Sequence, residues 1–170
     1  MKLKLLLPAV LLSTVFFVSC TDDNEATSTV HLRLTDAPTA LDSVFVDIQE
    51  VRVKHHSDTS ESGWVSMDVN EGIYNLLELQ NGTDTLLGTV TLPAGVLKEI
   101  RLILGTENRV VANGESFPLV IPSGAESGLK IKVDKDLDAT LETITIDFDA
   151  AMSVRQEQNG YKLRPVIRVL

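Results

Sequence analysis

From residue 30 onward, apolar and polar positions alternate. Val30, Leu32 and Leu34 are apolar, and His31 and Arg33 between them are polar; this period of two predicts a half-buried strand. Asp36-Ala37-Pro38 ends the run. Val44, Val46 and Ile48 start a second alternation, which resumes at Val51 and Val53 after a skip at Gln49-Glu50. One inserted residue there predicts a β-bulge, which returns the later apolar positions to the same face. Strand-like runs recur at residues 64–67, 86–92, 96–104, 109–112, 117–121, 129–133, 141–148 and 161–170. Asn81-Gly82, Asn113-Gly114 and Asn159-Gly160 mark turns, and Pro93-Ala94-Gly95 reads as a tight strand-to-strand connection. Ile73, Leu76, Leu77 and Leu79 fit a helical turn or a short strand equally well.

Short strands at this spacing, without an amphipathic helix longer than two turns, predict an all-β fold. The expected architecture is an antiparallel β-sandwich of about eight to ten strands, with a closed barrel as the second choice. An outer-membrane barrel fits poorly, because the strands are short and no aromatic girdles punctuate them.

The N-terminus breaks the pattern. Lys2 and Lys4 precede an apolar stretch, residues 5–18, interrupted only by Ser13 and Thr14. That is shorter than the roughly 20 residues a spanning helix needs, and its basic start and small residue before the break predict a secretory leader. Phe17-Val18-Ser19-Cys20 resembles the bacterial lipobox, with Phe17 where leucine is commonest. The resemblance implies cleavage before Cys20 and diacylation of that cysteine. Cys20 is the only cysteine in the chain, so no intramolecular disulfide competes for it. Two acyl chains anchor stably, each buried methylene contributing about 0.8 kcal/mol. Thr21 is not the aspartate that resembles an inner-membrane retention signal, which points to the outer membrane. The acidic cluster Asp22, Asp23 and Glu25 resembles a surface-export signal and reads equally well as a solvated tether. The chain thus divides into a leader (1–19), an acylated cysteine with its tether (20–28) and one sandwich domain (29–170).

Composition sharpens this picture at two points. Hydrophobic content of 44% with 23% charged residues excludes a disordered chain, and a mature length of about 150 residues suits one core. The net charge of −9, more negative still once Lys2 and Lys4 are removed, argues against nucleic acid as a partner.

Five segments, in order, carry a family resemblance. They are Leu34-Thr35-Asp36-Ala37-Pro38; Leu92-Pro93-Ala94-Gly95 leading to Ile100-Arg101-Leu102; Ile121-Pro122-Ser123-Gly124 with Ser127-Gly128-Leu129-Lys130; Asp147-Phe148-Asp149-Ala150 with Ser153; and Leu163-Arg164-Pro165-Val166. Together they resemble a widespread domain-of-unknown-function family of bacterial and archaeal lipoproteins, the DUF4382 type. The resemblance implies an immunoglobulin- or transthyretin-like Greek-key sandwich and supplies no activity. Leu97 stands where that pattern usually carries an aromatic residue.

Candidate chemistry is sparse. Asp134, Asp136 and Asp138 alternate like the start of a calcium loop, but Ala139 and Thr145 stand where it needs Gly and Glu. Asp147 and Asp149, two apart on a strand, and Asp36 in a strand-ending turn are the candidate calcium ligands. Alternatively they are solvent-facing residues that bond nearby backbone amides. His55-His56 falls in a polar loop (55–63), and with His31 facing outward no zinc set forms. The glycine-containing loop at 123–128, with Lys130 after it, has the wrong spacing for a P-loop but sits where sandwiches present ligands. No Gly-x-Ser-x-Gly elbow or Ser/His/Asp grouping occurs. Trp64 is a candidate sugar platform, or else a cover over one end of the core. Asp42-Ser43-Val44 and Asp84-Thr85-Leu86 resemble a short O-glycosylation sequon.

The expectation is therefore a non-catalytic, lipid-anchored protein of the outer membrane, with cell-surface exposure as a variant. It would serve as a binding or assembly module without a cofactor, its partner a protein or a glycan. Trp64, Ser123 and Lys130 are the candidate ligand-binding residues. A glycan-binding accessory module and a calcium-dependent adhesion-type domain are the alternatives.

Overall fold

The computed structural model describes residues 26–55, 63–121, 128–138 and 140–170. Cys20, the acidic segment after it, His56 and Ser123 lie outside the described residues. Two sheets pack face to face. One holds, in spatial order, β14 (Ile167–Val169), β11 (Leu141–Phe148), β1 (Thr27–Thr35), β6 (Thr85–Pro93) and β4 (Asp68–Val69). The other runs β10 (Leu129–Leu137), β7 (Gly95–Leu104), β2 (Ser43–His55), β8 (Arg109–Ala112), β9 (Glu115–Val120), β13 (Gly160–Leu163) and β12 (Val154–Glu157). β3 (Trp64–Ser66) and β5 (Gly72–Asn75) also pair with β2. The all-β sandwich is as expected from the alternation.

The period-two pattern delivers the core. Val30, Leu32 and Leu34 of β1 and Ile144, Ile146 and Phe148 of β11 face Val44, Val46, Val51, Val53, Ile100 and Leu102 of the second sheet in one buried cluster. Each fully buried Leu, Ile or Phe contributes roughly 1.5–3 kcal/mol from apolar area. The bulge expected at Gln49-Glu50 is present: the β2–β7 register shifts between Ile48 and Glu50, and both halves of β2 keep their apolar residues inward. Among the described residues, the core begins at Val30.

Four details differ from the sequence reading. The sheets are mixed rather than antiparallel, because β1 pairs parallel with β11 and β9 parallel with β13. Pro93-Ala94-Gly95 is a corner between sheets, since β6 pairs with β1 and β7 with β2 and β10. Residues 72–79 are a strand followed by a 3-10 turn, Leu76–Leu79, so both readings hold in succession. The C-terminal segment also contains α1 (Ala150–Ser153) and the β12–β13 hairpin, which carry no long apolar alternation. Fourteen strands among the described residues exceed the expected number because several are only two to four residues long. Among the described residues, no helix is long and apolar enough to cross a membrane.

Candidate functional site

The residues singled out from the sequence fall into two regions at opposite ends of the strands. At the C-terminal end of β1 the three aspartates gather, and they are buried rather than solvent-facing: Asp36 is 5% exposed, Asp147 3% and Asp149 9%. The parallel β1–β11 register brings this about, since Thr35 lies beside Asp147. Each carboxylate is engaged by the fold. Asp36 Oδ1 accepts the Ala150 N–H at 2.8 Å and its Oδ2 accepts the Gln80 side-chain amide at 2.9 Å. Asp149 caps α1, its Oδ1 accepting the Met152 N–H at 2.9 Å. Asp147 Oδ2 accepts from Arg168 Nε at 2.7 Å, while its buried Oδ1 has no hydrogen-bond partner.

Burial pushes the Asp36 carboxyl above the ordinary aspartate value. Its two donors pull the other way, and the charges of Asp147 and Asp149 add to the upward push. The three side chains therefore do converge, but as an electrostatically coupled knot joining β1, the 76–80 turn and α1. Among the described residues, no group of three or more His, Cys, Asp or Glu side chains is arranged to hold a metal ion.

The other region is the outer face of the second sheet. Lys130 of β10 lies opposite Arg101 of β7, which lies opposite Arg52 of β2, which lies opposite Ser66 of β3. The adjacent row on the same face runs Lys132, Glu99, Lys54, Trp64. The residues between the rows, Ile131, Ile100 and Val53, point into the core. Trp64 thus stands on the outer side of the sheet, half-buried with its Nε1 covered, and is not folded over the end of the core. The Arg101 guanidinium lies 4.0 Å from its ring centroid and the Lys54 ammonium 5.8 Å, distances at which a cation is drawn to the ring. Gly128 has a φ of +69°, and a Cβ there would come within 2.7 Å of the Arg101 side chain, so this glycine is what lets Arg101 lie as it does.

Through Arg101 the fold brings Trp64 and Lys130 together; Ser123 lies outside the described residues. Arg52, Lys54, Arg101 and Lys132 complete the face, and sequence reasoning missed them. Their signal was there as Arg52-x-Lys54 and Lys130-x-Lys132, basic residues at outward strand positions. Only strand pairing reveals that these pairs are neighbours. Among the described residues the acids in the two rows are Glu50 and Glu99, and Asp134, two residues beyond Lys132 on β10, pairs with Lys98. Glu50 holds Arg52 at 2.7 Å and accepts the Ser66 hydroxyl, and the Arg52 hydrogen bond keeps the Glu50 carboxyl below its ordinary value. Arginine over an aromatic ring recurs at Arg109 on Phe45, also 4.0 Å, so stacking of this kind is partly how the sheet covers its outward rings.

His55 is not in a loop. It ends β2, is 7% exposed, and packs against the Pro93–Gly95 corner, where a Cβ on Gly95 would come within 2.7 Å of its Nε2.

A family model described as a domain of unknown function, DUF4382, matches residues 27–165, which is nearly all of the described body. The chain belongs to the DUF4382 family. No curated protein and no solved structure matches it. The DUF4382 match begins at Thr27, where β1 begins, and takes in both the aspartate knot and the Trp64 face.

Proposed function

We propose that this DUF4382 protein is a lipid-anchored, non-catalytic module of the outer membrane or cell surface that binds a partner through the outer face of its larger sheet. The observation that carries the reading is the contrast in how polar side chains are used. The aspartates that would serve acid–base or metal chemistry are buried and tied to backbone amides and Arg168. The charged and aromatic side chains around Trp64 cover a surface the core does not need. The anchor reading rests on the leader and Cys20, six residues before Ala26. Two measurements test it. Intact-mass analysis of mature protein should find Cys20 acylated, and Cys20→Ala should abolish membrane attachment; a processed, membrane-bound Cys20→Ala protein would overturn the anchor.

A glycan-binding module is the second reading, favoured by the outward placement of Trp64. One ring face is already covered by Arg101, so a sugar would have to use the other. Calorimetric titration with glycans tests this, and wild-type binding by Trp64→Ala would remove the ring from the site.

A further inference from the structure

The Trp64 face has a charge opposite to that of the chain bearing it. Among the described residues, five cations, Arg52, Lys54, Arg101, Lys130 and Lys132, share its two rows with two acids, Glu50 and Glu99, and the Lys98–Asp134 pair beside Lys132 is neutral, on a chain of net charge −9. Arg52 and Glu50 pair with each other. Lys130 and Lys132 are exposed and form no ion pair among the described residues. The face is also broad: neighbouring strands stand about 4.8 Å apart and alternate residues about 6.8 Å apart along a strand, so the cations form a two-dimensional array across three strands rather than a pocket. The single tryptophan of the chain borders it.

Its position in the body adds a second observation. Ala26 O accepts the Ala94 N–H at 2.7 Å, and the Pro93–Gly95 corner packs on His55, the residue after Lys54. The chain therefore enters the body at the end of the sandwich where Lys54 and Trp64 lie. Five residues lie between Cys20 and Ala26, six Cα steps that reach about 20 Å at full extension.

We infer that this face docks on the phosphate headgroups of the bilayer that holds the chain. The inference rests on the lipid-anchored reading and names the partner of the same surface. A short tether holds the body beside an anionic plane, and the lysines of this face match that plane in sign and in their spread over two strands. Basic residues close to an anionic membrane each add attraction, and tryptophan favours the headgroup level, where one edge is apolar and the other wet. The face orients the body, with Lys130, Lys132 and Lys54 toward lipid and the aspartate end away from the anchor.

The test uses the leader-free chain with Cys20→Ser, which keeps every described residue but has no acyl group. Trp64, as the only tryptophan, reports contact directly. Vesicles of phosphatidylcholine containing about 30% phosphatidylglycerol should shift its emission to the blue and sediment the protein, and pure phosphatidylcholine should do neither. Salt at about 0.5 M should release it. Each lysine removed should weaken partitioning about fivefold, so Lys54→Ala/Lys130→Ala/Lys132→Ala should lose nearly all of it. Lys162→Ala, on β13 far across the same sheet and paired with Glu157, should bind as wild type, and circular dichroism confirms that each variant is folded. Equal binding to neutral vesicles, no binding to anionic ones, or wild-type partitioning by the triple variant would overturn the inference. Binding to polygalacturonate without binding to vesicles would overturn it too, in favour of an acidic glycan. These outcomes leave the anchor untouched, because this chain has none; a bare Cys20 in native protein would remove the anchor alone.

Discussion

The aspartate knot and the Trp64 face each gather charged side chains from segments far apart in the chain, yet they do opposite work. In the knot the charges are buried, and each carboxylate completes a hydrogen bond that backbone or side chain would otherwise lack. On the face the charges lie on the outward side, with Lys130 and Lys132 exposed, and the residues between the two rows, Ile131, Ile100 and Val53, point into the core. The difference teaches that residue type does not tell fold from function. Asp36, Asp147 and Asp149 look more like chemistry in the sequence than any lysine does, but burial gives them to the fold.

The largest break of this contrast would come from Asp36→Ala. It strips partners from the Ala150 N–H and the Gln80 amide, and should cost about 3 kcal/mol, read as a fall in Tm of about 10 °C. A loss below about 1 kcal/mol would mean the knot does not hold β1 to α1.

Gly95→Ala tests whether the Trp64 end is as tolerant as its outer face. The glycine sits at φ +148° with a Cβ position 2.7 Å from His55 Nε2, so about 2 kcal/mol should be lost through crowding and backbone strain. Chemical denaturation measures this, and a neutral result would show that the corner can shift.

A pH series sharpens the contrast further. Since burial raises the Asp36 value, the folded state keeps that proton to higher pH than the unfolded chain does. Between the two values the folded state binds more protons, so stability from this group is present at low pH and declines as pH rises. Asp36→Asn does not titrate there, so its Tm relative to wild type should rise as the pH climbs from about 4, the ordinary aspartate value. A constant difference would show that Asp36 ionises as an ordinary surface aspartate.

Two changes should scarcely register. Chelator should leave Tm within about 1 °C of its value in calcium, and a larger drop would reveal a bound ion at the knot. Lys130→Ala and Lys132→Ala should each shift stability by no more than about 0.5 kcal/mol, and a larger loss would assign these lysines to the fold instead of a partner.

Much of this was legible in the sequence because the signals were local. The β1 alternation, the skip at Gln49-Glu50 and the Asn113-Gly114 hairpin are each written in consecutive residues, and each appears in the structure. Asn113 and Gly114 both take positive φ, as that two-residue turn demands. The parallel β1–β11 pair escaped notice because pairing direction leaves no mark on either strand alone. Asp147 has the same cause: a polar residue at a strand end reads as solvent-facing until Thr35 is known to lie beside it. Trp64 and Lys130 were noticed separately, and only Arg101, on a third strand, joins them.

The β1–β11 ladder has one more consequence. Thr29 lies beside Leu141 and Arg33 beside Thr145, so the strand that opens the body gains its second neighbour, after β6, from a segment more than a hundred residues on. A growing polypeptide leaves the ribosome N-terminus first, so β1 can pair with β6 early, but its edge toward β11 stays open until residues 141–148 are made. Contacts so distant along the chain slow folding. Until β11 is made, the smaller sheet stays divided between β1 with β6 and the strands still to come.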